Sequence, residues 1–172
     1  VYAPNLLPGL LQTEDYARAV IRVMDPSSAD AEVERQVSAR VERQGILARS
    51  EPPHVSVILD EVVLRRGVTS TETNRNQLQH LLELSKRRKI SIRVVPFSAG
   101  MYMGQIGQFT IFEFPDAEDH PVAYQEGFFG DVYVECPVDI DRYILAAARC
   151  RDVALSTADS RTLIESLLKE SS

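Results

Sequence analysis

The side chains most able to do chemistry in this sequence are charged or polar residues on faces that otherwise look apolar. Residues two positions apart in a strand share a face, so Arg93 lies with Val95, and Glu61 continues the face that includes Leu59. Two later predicted strands and one predicted helix likewise have charged or polar residues on faces that are otherwise apolar. Seven residues are therefore candidates for binding a ligand or partner: Arg40, Gln44, Glu61, Arg93, Glu113, Tyr124 and Glu126.

These candidates allow two interpretations. Buried charge must be paired or hydrogen-bonded, so we expect Arg40 and Arg93 to meet some of the three glutamates. The pairs are then either structural ion pairs at strand ends or the lining of a polar pocket between helix and sheet. An enzyme would use Glu61, Glu126 and Tyr124 beside Arg93 for acid–base chemistry on a small metabolite, with the charged groups within about 6 Å of one another.

The sequence lacks the residue patterns of common catalytic and metal sites. Its three histidines are scattered and its cysteines, Cys136 and Cys150, are fourteen residues apart, so we expect no zinc site. No G-x-S-x-G element marks a serine hydrolase. The glycine-containing loop around residues 100–107 lacks the Lys-Ser/Thr of a P-loop, although its Met-Tyr-Met could close over an apolar ligand. We predict no catalytic residue, no metal and no cofactor.

Composition limits the class of protein further. The chain has 172 residues, of which 44% are hydrophobic and 26% charged, and its net charge is -6. This charge argues against a main nucleic-acid contact, which would show a basic face. No apolar run approaches the ~20 residues of a membrane helix, and no signal peptide is visible. We expect a cytoplasmic protein with both cysteines reduced, since a chain of this size needs no disulfide.

Hydrophobic periodicity predicts the elements that must position the candidates. Helices are predicted over residues 13–24, from 30 to before 51, and over 72–89, 137–153 and 157–169. Strands are predicted over residues 54–60, 90–97, 108–114, 121–126 and 130–135, the last two as a hairpin. This order predicts an α/β or α+β fold: a single domain over residues 1–172, with a central mixed sheet of about five strands flanked by helices.

The opening of the chain predicts a fixed structure. Thr13 is expected to cap the first helix, and a turn at Pro8 and Gly9 presents Leu10 and Leu11 to something apolar. This segment and the last helix are the candidate surfaces for a homodimer, with ordinary core packing as the alternative for the helix. The apolar stripe of that helix consists of Leu163, Ile164, Leu167 and Leu168.

Eight groups of residues occur in order along the chain and together point to a family. The groups are 8–13 with 15–18, 40–44, 60–61 with 64–65, 77–78, 93–97 with 100, 109–111 with 114, 124–126, and 154–156 with 160. In this order they resemble the C-terminal domain of unknown function in actinobacterial Xre-type helix-turn-helix regulators, including the antitoxin-like ones. The resemblance covers residues 4 to about 168 and offers no catalytic residues.

The resemblance implies that a DNA-binding helix-turn-helix precedes this domain. That element is absent from this chain, so we expect DNA contact only through the missing part. The resemblance also implies a regulatory, non-catalytic role in binding a small companion protein or a small-molecule effector, with possible dimerisation. The alternative is a free-standing enzyme derived from this domain, working in a Glu/Arg-lined pocket.

Overall fold

The computed structural model describes residues 1–68, 70–116, 118–127 and 130–170. Six helices occur there: α1 (Glu14–Met24), α2 (Asp30–Gln44), α3 (Glu61–Arg65), α4 (Thr71–Ser85), α5 (Pro137–Val153) and α6 (Thr157–Glu170). The same residues form six strands: β1 (Tyr2–Ala3), β2 (Val55–Asp60), β3 (Ile90–Val95), β4 (Thr110–Phe112), β5 (Val122–Gln125) and β6 (Val132–Val134). Short 3-10 turns cover Gly9–Leu11, Gly45–Ala48, Phe97–Ala99 and Met103–Ile106.

The strands form two sheets of three strands each. Strands β1, β2 and β3 are parallel with β2 in the centre, and β4, β5 and β6 are antiparallel with β5 in the centre. Tyr2 and Phe109 join the sheets through two backbone hydrogen bonds of 2.9 and 3.2 Å. The mixed α+β class is therefore confirmed. The single sheet of about five strands is replaced by two smaller sheets that meet at one bridge.

Helices cover both faces of the parallel sheet. One face packs on α1, α4 and α6 through an apolar row: Val55, Val57, Leu59, Ile90, Ile92 and Val94. The opposite face packs on α5, and there Tyr2, Ile58 and Val95 meet Phe109 and Cys150. Burial on both faces is usual for a parallel sheet. Here the first face is apolar along its whole length, whereas the second is buried at Ile58 and Val95 and has Ser56, Ser91 and Arg93 in its earlier part.

Local chemistry explains where the elements begin and end. The hydroxyl of Thr13 accepts a hydrogen bond from the Tyr16 N–H, which confirms the predicted cap of α1. Strand β3 ends at Val95, two residues before the prediction, because Pro96 cannot donate to a ladder. Helix α4 ends at Ser85 rather than at residue 89, and β3 begins at Ile90.

The two apolar segments considered for a dimer interface lie in the core. Leu7 and Leu11 of the opening segment are buried in the cluster beneath the parallel sheet. Ile164 and Leu167 of α6 are buried in the same cluster, with Leu163 and Leu168 packed against it. Core packing therefore accounts for Leu11 and for the apolar stripe of α6, whereas Leu10 is half-buried and lies outside the core clusters.

Among the described residues, no helix combines the length and the apolar character needed to cross a bilayer.

Candidate functional site

Two of the seven candidates, Arg40 and Gln44, hold the opening segment from α2. The Arg40 guanidinium donates to the Gln12 side-chain oxygen at 2.7 Å, and Gln12 is itself 1% exposed. The Gln44 amide donates to the carbonyls of Gly9 at 2.7 Å and of Gln12 at 2.8 Å. Burial lowers the pKa of Arg40, and the carboxylate of Glu126 acts in the opposite direction. Both side chains thus donate hydrogen bonds to acceptor oxygens of the opening segment.

A third glutamine, Gln77 of α4, completes this arrangement from the other side. Its amide nitrogen donates to the Leu11 carbonyl at 2.7 Å, and its oxygen accepts from the Thr13 N–H at 2.7 Å. Gln12 closes the turn by donating to the Leu7 carbonyl at 2.7 Å. The opening segment is irregular, so its buried backbone groups have no partners in a helix or sheet, and the glutamine side chains supply these hydrogen bonds instead.

Glu61 has a structural role at the end of the parallel sheet. Strand β2 ends at Asp60, so Glu61 is the first residue of α3 rather than a continuation of the strand face. Its carboxylate accepts from Arg65 Nε at 2.6 Å and from the Phe97 N–H at 2.8 Å. Glu61 is 6% exposed, so both oxygens of this buried carboxylate are occupied. It meets neither Arg40 nor Arg93.

Arg93 lies apart from the other candidates. It shares a face with Val95, as predicted, and opposes Ile58 of β2. Its guanidinium forms no ion pair or hydrogen bond with any residue that the structure describes. Strands β3 and β5 belong to different sheets, and β2, β1 and β4 lie between them in the strand order. Arg93 therefore does not share a site with Tyr124 or Glu126.

Glu113 and Glu126 are exposed, which corrects their predicted positions on buried faces. Each follows the last residue of a strand, β4 at Phe112 and β5 at Gln125. The strands are shorter than predicted, so the alternation that assigned these carboxylates to a buried face ends before it reaches them. Glu126 still lies near Arg40, as its influence on that guanidinium shows, but at a distance beyond an ion pair.

The sequence patterns missed a chain of hydroxyl groups at the carboxyl end of the parallel sheet. The Tyr102 hydroxyl donates to Asp60 Oδ2 at 2.6 Å, and the Tyr2 hydroxyl lies 2.7 Å from the Tyr102 hydroxyl. Since Tyr102 has only one proton to donate, Tyr2 donates to Tyr102. Burial raises the pKa of Tyr2 to about 12, and burial together with Asp60 raises that of Tyr102 further.

The Tyr2 end of this chain of hydroxyls is tightly covered, whereas Tyr102 and Asp60 are only half-buried. A Cβ atom on Gly104 would lie 2.5 Å from both Tyr2 Cζ and Cys150 Sγ, so the turn at Met103–Ile106 fits tightly over the Tyr2 ring. The phenols stay neutral near pH 7 and act as donors rather than as bases. Within the predicted Met-Tyr-Met loop, Tyr102 packs inward whereas Met101 is 92% exposed. The alternation of that loop is the signal that could have found this cluster.

The antiparallel sheet presents a row of aromatic rings on the face that points away from α5. Tyr124 pairs with Tyr133 across the two strands, with ring centroids 5.1 Å apart, and Phe112 lies 6.3 Å from Tyr124. Phe112 is 45% exposed and Tyr133 is 64% exposed. The opposite face contains the fully buried Ala123 and packs on α5. We call this row the aromatic face.

Carboxylates border the aromatic face. Asp131 and Glu135 directly flank β6, and Glu126 directly follows β5. Burial and then the Asp131 carboxylate raise the pKa of Tyr124 to about 12, so Asp131 lies close to the Tyr124 hydroxyl. The aromatic face is therefore an acidic, partly apolar surface.

Two clefts lie elsewhere on the described part of the chain. One of about 280 Å³ lies between α3, α4 and α6 and is lined by Arg65, Asn74 and Glu170. A second of about 420 Å³ lies along α1 and α2 and is lined by Glu14 and Glu34, among others. Neither contains a candidate residue. Within the described ranges, no three His, Cys, Asp or Glu side chains gather as metal ligands would.

Fold and surface together define a mixed α+β domain with an acidic, aromatic sheet face. The chain belongs to the family described as Domain of unknown function (DUF5753), which matches residues 1–166. Neither the curated proteins nor the solved structures include a match to it.

Proposed function

We propose that this chain is the regulatory, non-catalytic domain of an Xre-family helix-turn-helix transcriptional regulator of the antitoxin-like kind. It binds a small companion protein in the cytoplasm, and a separate helix-turn-helix contacts DNA. The ordered motifs along residues 4–168 support the regulator, and membership of the DUF5753 family is compatible with it.

The observation that carries this proposal is the distribution of exposed apolar side chains. Thirteen large apolar side chains are exposed among the described residues, and ten of these lie between residues 97 and 145. They are Phe97, Met101, Met103, Phe112, Phe114, Val132, Tyr133, Val138, Ile144 and Leu145. Single exposed apolar residues are normal, but Phe112 and Tyr133 expose their rings on either side of Tyr124 on the aromatic face, and such a patch is typical of a protein-binding surface.

An enzyme in a Glu/Arg-lined pocket has less support. It needs Glu61, Arg93 and Glu126 together, whereas Glu61 is paired with Arg65 and β3 is four strands from β5. The accessible polar groups of the aromatic face lie on an open sheet surface. Such a surface suits a macromolecular partner better than a small metabolite.

Native mass spectrometry of the protein mixed with the small proteins encoded beside its gene tests the proposal. We expect a complex of defined stoichiometry with one of them. Replacing Tyr133 by Lys should abolish it, because the change removes an exposed ring of the aromatic face and places a cation among its carboxylates. The matched control is Met24→Lys at the end of α1, where the side chain is 72% exposed and the complex should persist.

Two results would contradict the proposal. One is a protein that stays alone in the spectrum with every neighbouring protein. The other is a complex that survives Tyr133→Lys and is lost in Met24→Lys, which would place the partner on a different surface. Circular dichroism of both variants establishes that each is folded, so that a lost complex reports binding.

A further inference from the structure

Building on the proposed function, we infer that the companion protein adds a strand to the outer edge of β6. This added strand alternates basic with apolar side chains, and its basic side chains meet Asp131, Tyr133 and Glu135. This inference rests on the proposed function, to which it adds the side-chain pattern of the partner's strand and the edge of the fold that it binds.

Strand β6 is available for such an addition. It is the last strand of its sheet, with β5 on one side only. No backbone hydrogen bond joins its other side to any part of the chain that the structure describes. Val132 is 51% exposed and Tyr133 is 64% exposed. Main-chain hydrogen bonds to an open edge supply affinity, and alternate side chains supply specificity.

The side chains along β6 specify the charge of the added strand. Tyr133 is the central residue of β6, and Asp131 and Glu135 flank the strand at its two ends, so a carboxylate lies on either side of the phenol along this edge. Lysine or arginine at every second position of the partner would lie opposite these groups. A cation above the Tyr133 ring gains from its quadrupole, and Tyr124 lies directly behind it. The partner's apolar positions would meet Val132 and Val134.

Charge over a much longer stretch points the same way. Between Arg93 and Arg142 the sequence has nine aspartates and glutamates and no lysine or arginine. The whole chain has a net charge of -6, so the remaining residues carry a net positive charge. The negative charge is thus concentrated in the segment that contains β4, β5 and β6. Such a field steers a basic partner to this sheet and repels acidic ones.

The same pattern disfavours a second copy of this chain at the edge. Antiparallel pairing of two β6 strands around Tyr133 would set Asp131 of one copy opposite Glu135 of the other. Like charges directly opposite each other destabilise a strand pair. A partner of opposite charge removes this repulsion, so the edge selects a hetero-complex over a homodimer.

Synthetic peptides test the inference directly on the protein. The probe is a dye-labelled, end-blocked peptide of alternating arginine and valine, and fluorescence anisotropy measures its dissociation constant. The double variant Asp131→Asn/Glu135→Gln should bind it about fivefold more weakly, as expected for two lost cross-strand charge pairs. The control double variant, Glu14→Gln/Glu42→Gln, removes the same charge near α1 and α2 and should change binding less than about twofold.

A second probe separates strand addition from simple charge attraction. It has the same sequence, with alternate backbone nitrogens methylated along one edge. Methylation removes ladder donors but keeps every charge, so we expect its affinity to fall at least as far as in the acidic-residue variant. A glutamate–valine peptide should not bind.

The outcomes distinguish this inference from the proposed function. Equal binding of the methylated and unmethylated peptides, or equal losses in the two double variants, overturns the strand addition and leaves charge attraction only. A companion protein whose affinity is unchanged by Asp131→Asn/Glu135→Gln also overturns it, while the regulatory proposal stands. Failure of every neighbouring protein to bind overturns the proposed function, whatever the peptides do.

Discussion

At the scale of single residues, the buried glutamines show how this chain uses polar side chains inside the fold. Gln12 and Gln77 are 1% and 2% exposed; Gln12 is bonded to Leu7 and to Arg40 of α2, and Gln77 to Leu11 and Thr13. Each amide supplies one donor and one acceptor to backbone groups or to a neighbouring side chain. An apolar replacement would leave those groups buried without partners, which costs more than the hydrogen bonds themselves contribute.

We predict that Gln77→Leu destabilises the protein by about 3 kcal/mol, because the Thr13 N–H and the Leu11 carbonyl lose their partner in the interior. Urea unfolding followed by circular dichroism measures the change. Gln79→Leu on the same helix is the control, since Gln79 is exposed and its substitution should stay within about 0.5 kcal/mol. Equal destabilisation by both variants would contradict the structural role of Gln77.

At the scale of elements, the turn at Met103–Ile106 is fitted to α5 with almost no free space. Its Gly104 faces Tyr2 of β1 and Cys150 of α5, so one backbone position contacts both a strand and a helix. Burial raises the pKa of the Cys150 thiol to about 11, with the Gly104 N–H acting in the opposite direction. The turn thus seals the second core beside the parallel sheet.

Gly104→Ala should destabilise the protein by about 1–3 kcal/mol, because the added methyl group must displace the Tyr2 ring or the Cys150 sulfur. Thermal unfolding followed by circular dichroism measures the loss. Gly45→Ala is the matched control: a Cβ there meets no atom within 4 Å, and Gly45 has a helical φ of -54°. We expect it to leave stability unchanged or to raise it by up to about 1 kcal/mol. A neutral Gly104→Ala would show that the turn is loosely packed.

At the scale of the whole molecule, the fold buries the hydroxyl or thiol protons of several tyrosine and cysteine side chains. Burial raises the pKa of Tyr2 and of Tyr16 from 10.0 to about 12, and that of Cys150 from 9.0 to about 11. In each case the folded chain holds a proton that the unfolded chain releases at lower pH. Between pH 9 and about 12 the folded state therefore binds more protons than the unfolded state, and the free energy of unfolding falls as pH rises.

We expect the urea midpoint to be insensitive to these groups below pH 8 and to decrease steadily from pH 9 to pH 11. Circular dichroism at several pH values measures it. Cys150→Ala removes one contributor, so the decrease should be shallower in that variant even if it is less stable throughout. A midpoint that is constant or rises over this interval would contradict the burial of these protons.

Long periodic segments made much of the fold predictable. Helix α5 lies over residues 137–153 as predicted, and β5 and β6 form the predicted hairpin, because apolar spacing and Pro137 mark these elements clearly. The short elements were missed, since the two residues of β1 and the five of α3 carry no period. Because β1 was not predicted, the bridge between Tyr2 and Phe109 was not predicted either, and the strands were assigned to one mixed sheet instead of two.

The candidate residues were harder to place because their partners are distant in sequence. Arg40 meets Gln12 across 28 positions, and Glu61 meets the Phe97 N–H across 36. Alternation assigned a face to each charge but gave no information on where each strand stops. The stretch without lysine or arginine was visible in the sequence and would have indicated an acidic surface on the antiparallel sheet.

The bridge between Tyr2 and Phe109 also constrains how the chain is made. The ribosome delivers Tyr2 first, and its partner emerges 107 residues later. At typical synthesis rates of about 5 to 20 residues per second, this leaves β1 without its second neighbour for roughly 5 to 20 seconds. During that interval the opening strand is an open edge among nascent segments. Binding of the early chain by a chaperone would therefore matter more for this fold than for one whose first strand pairs with a neighbour close in sequence.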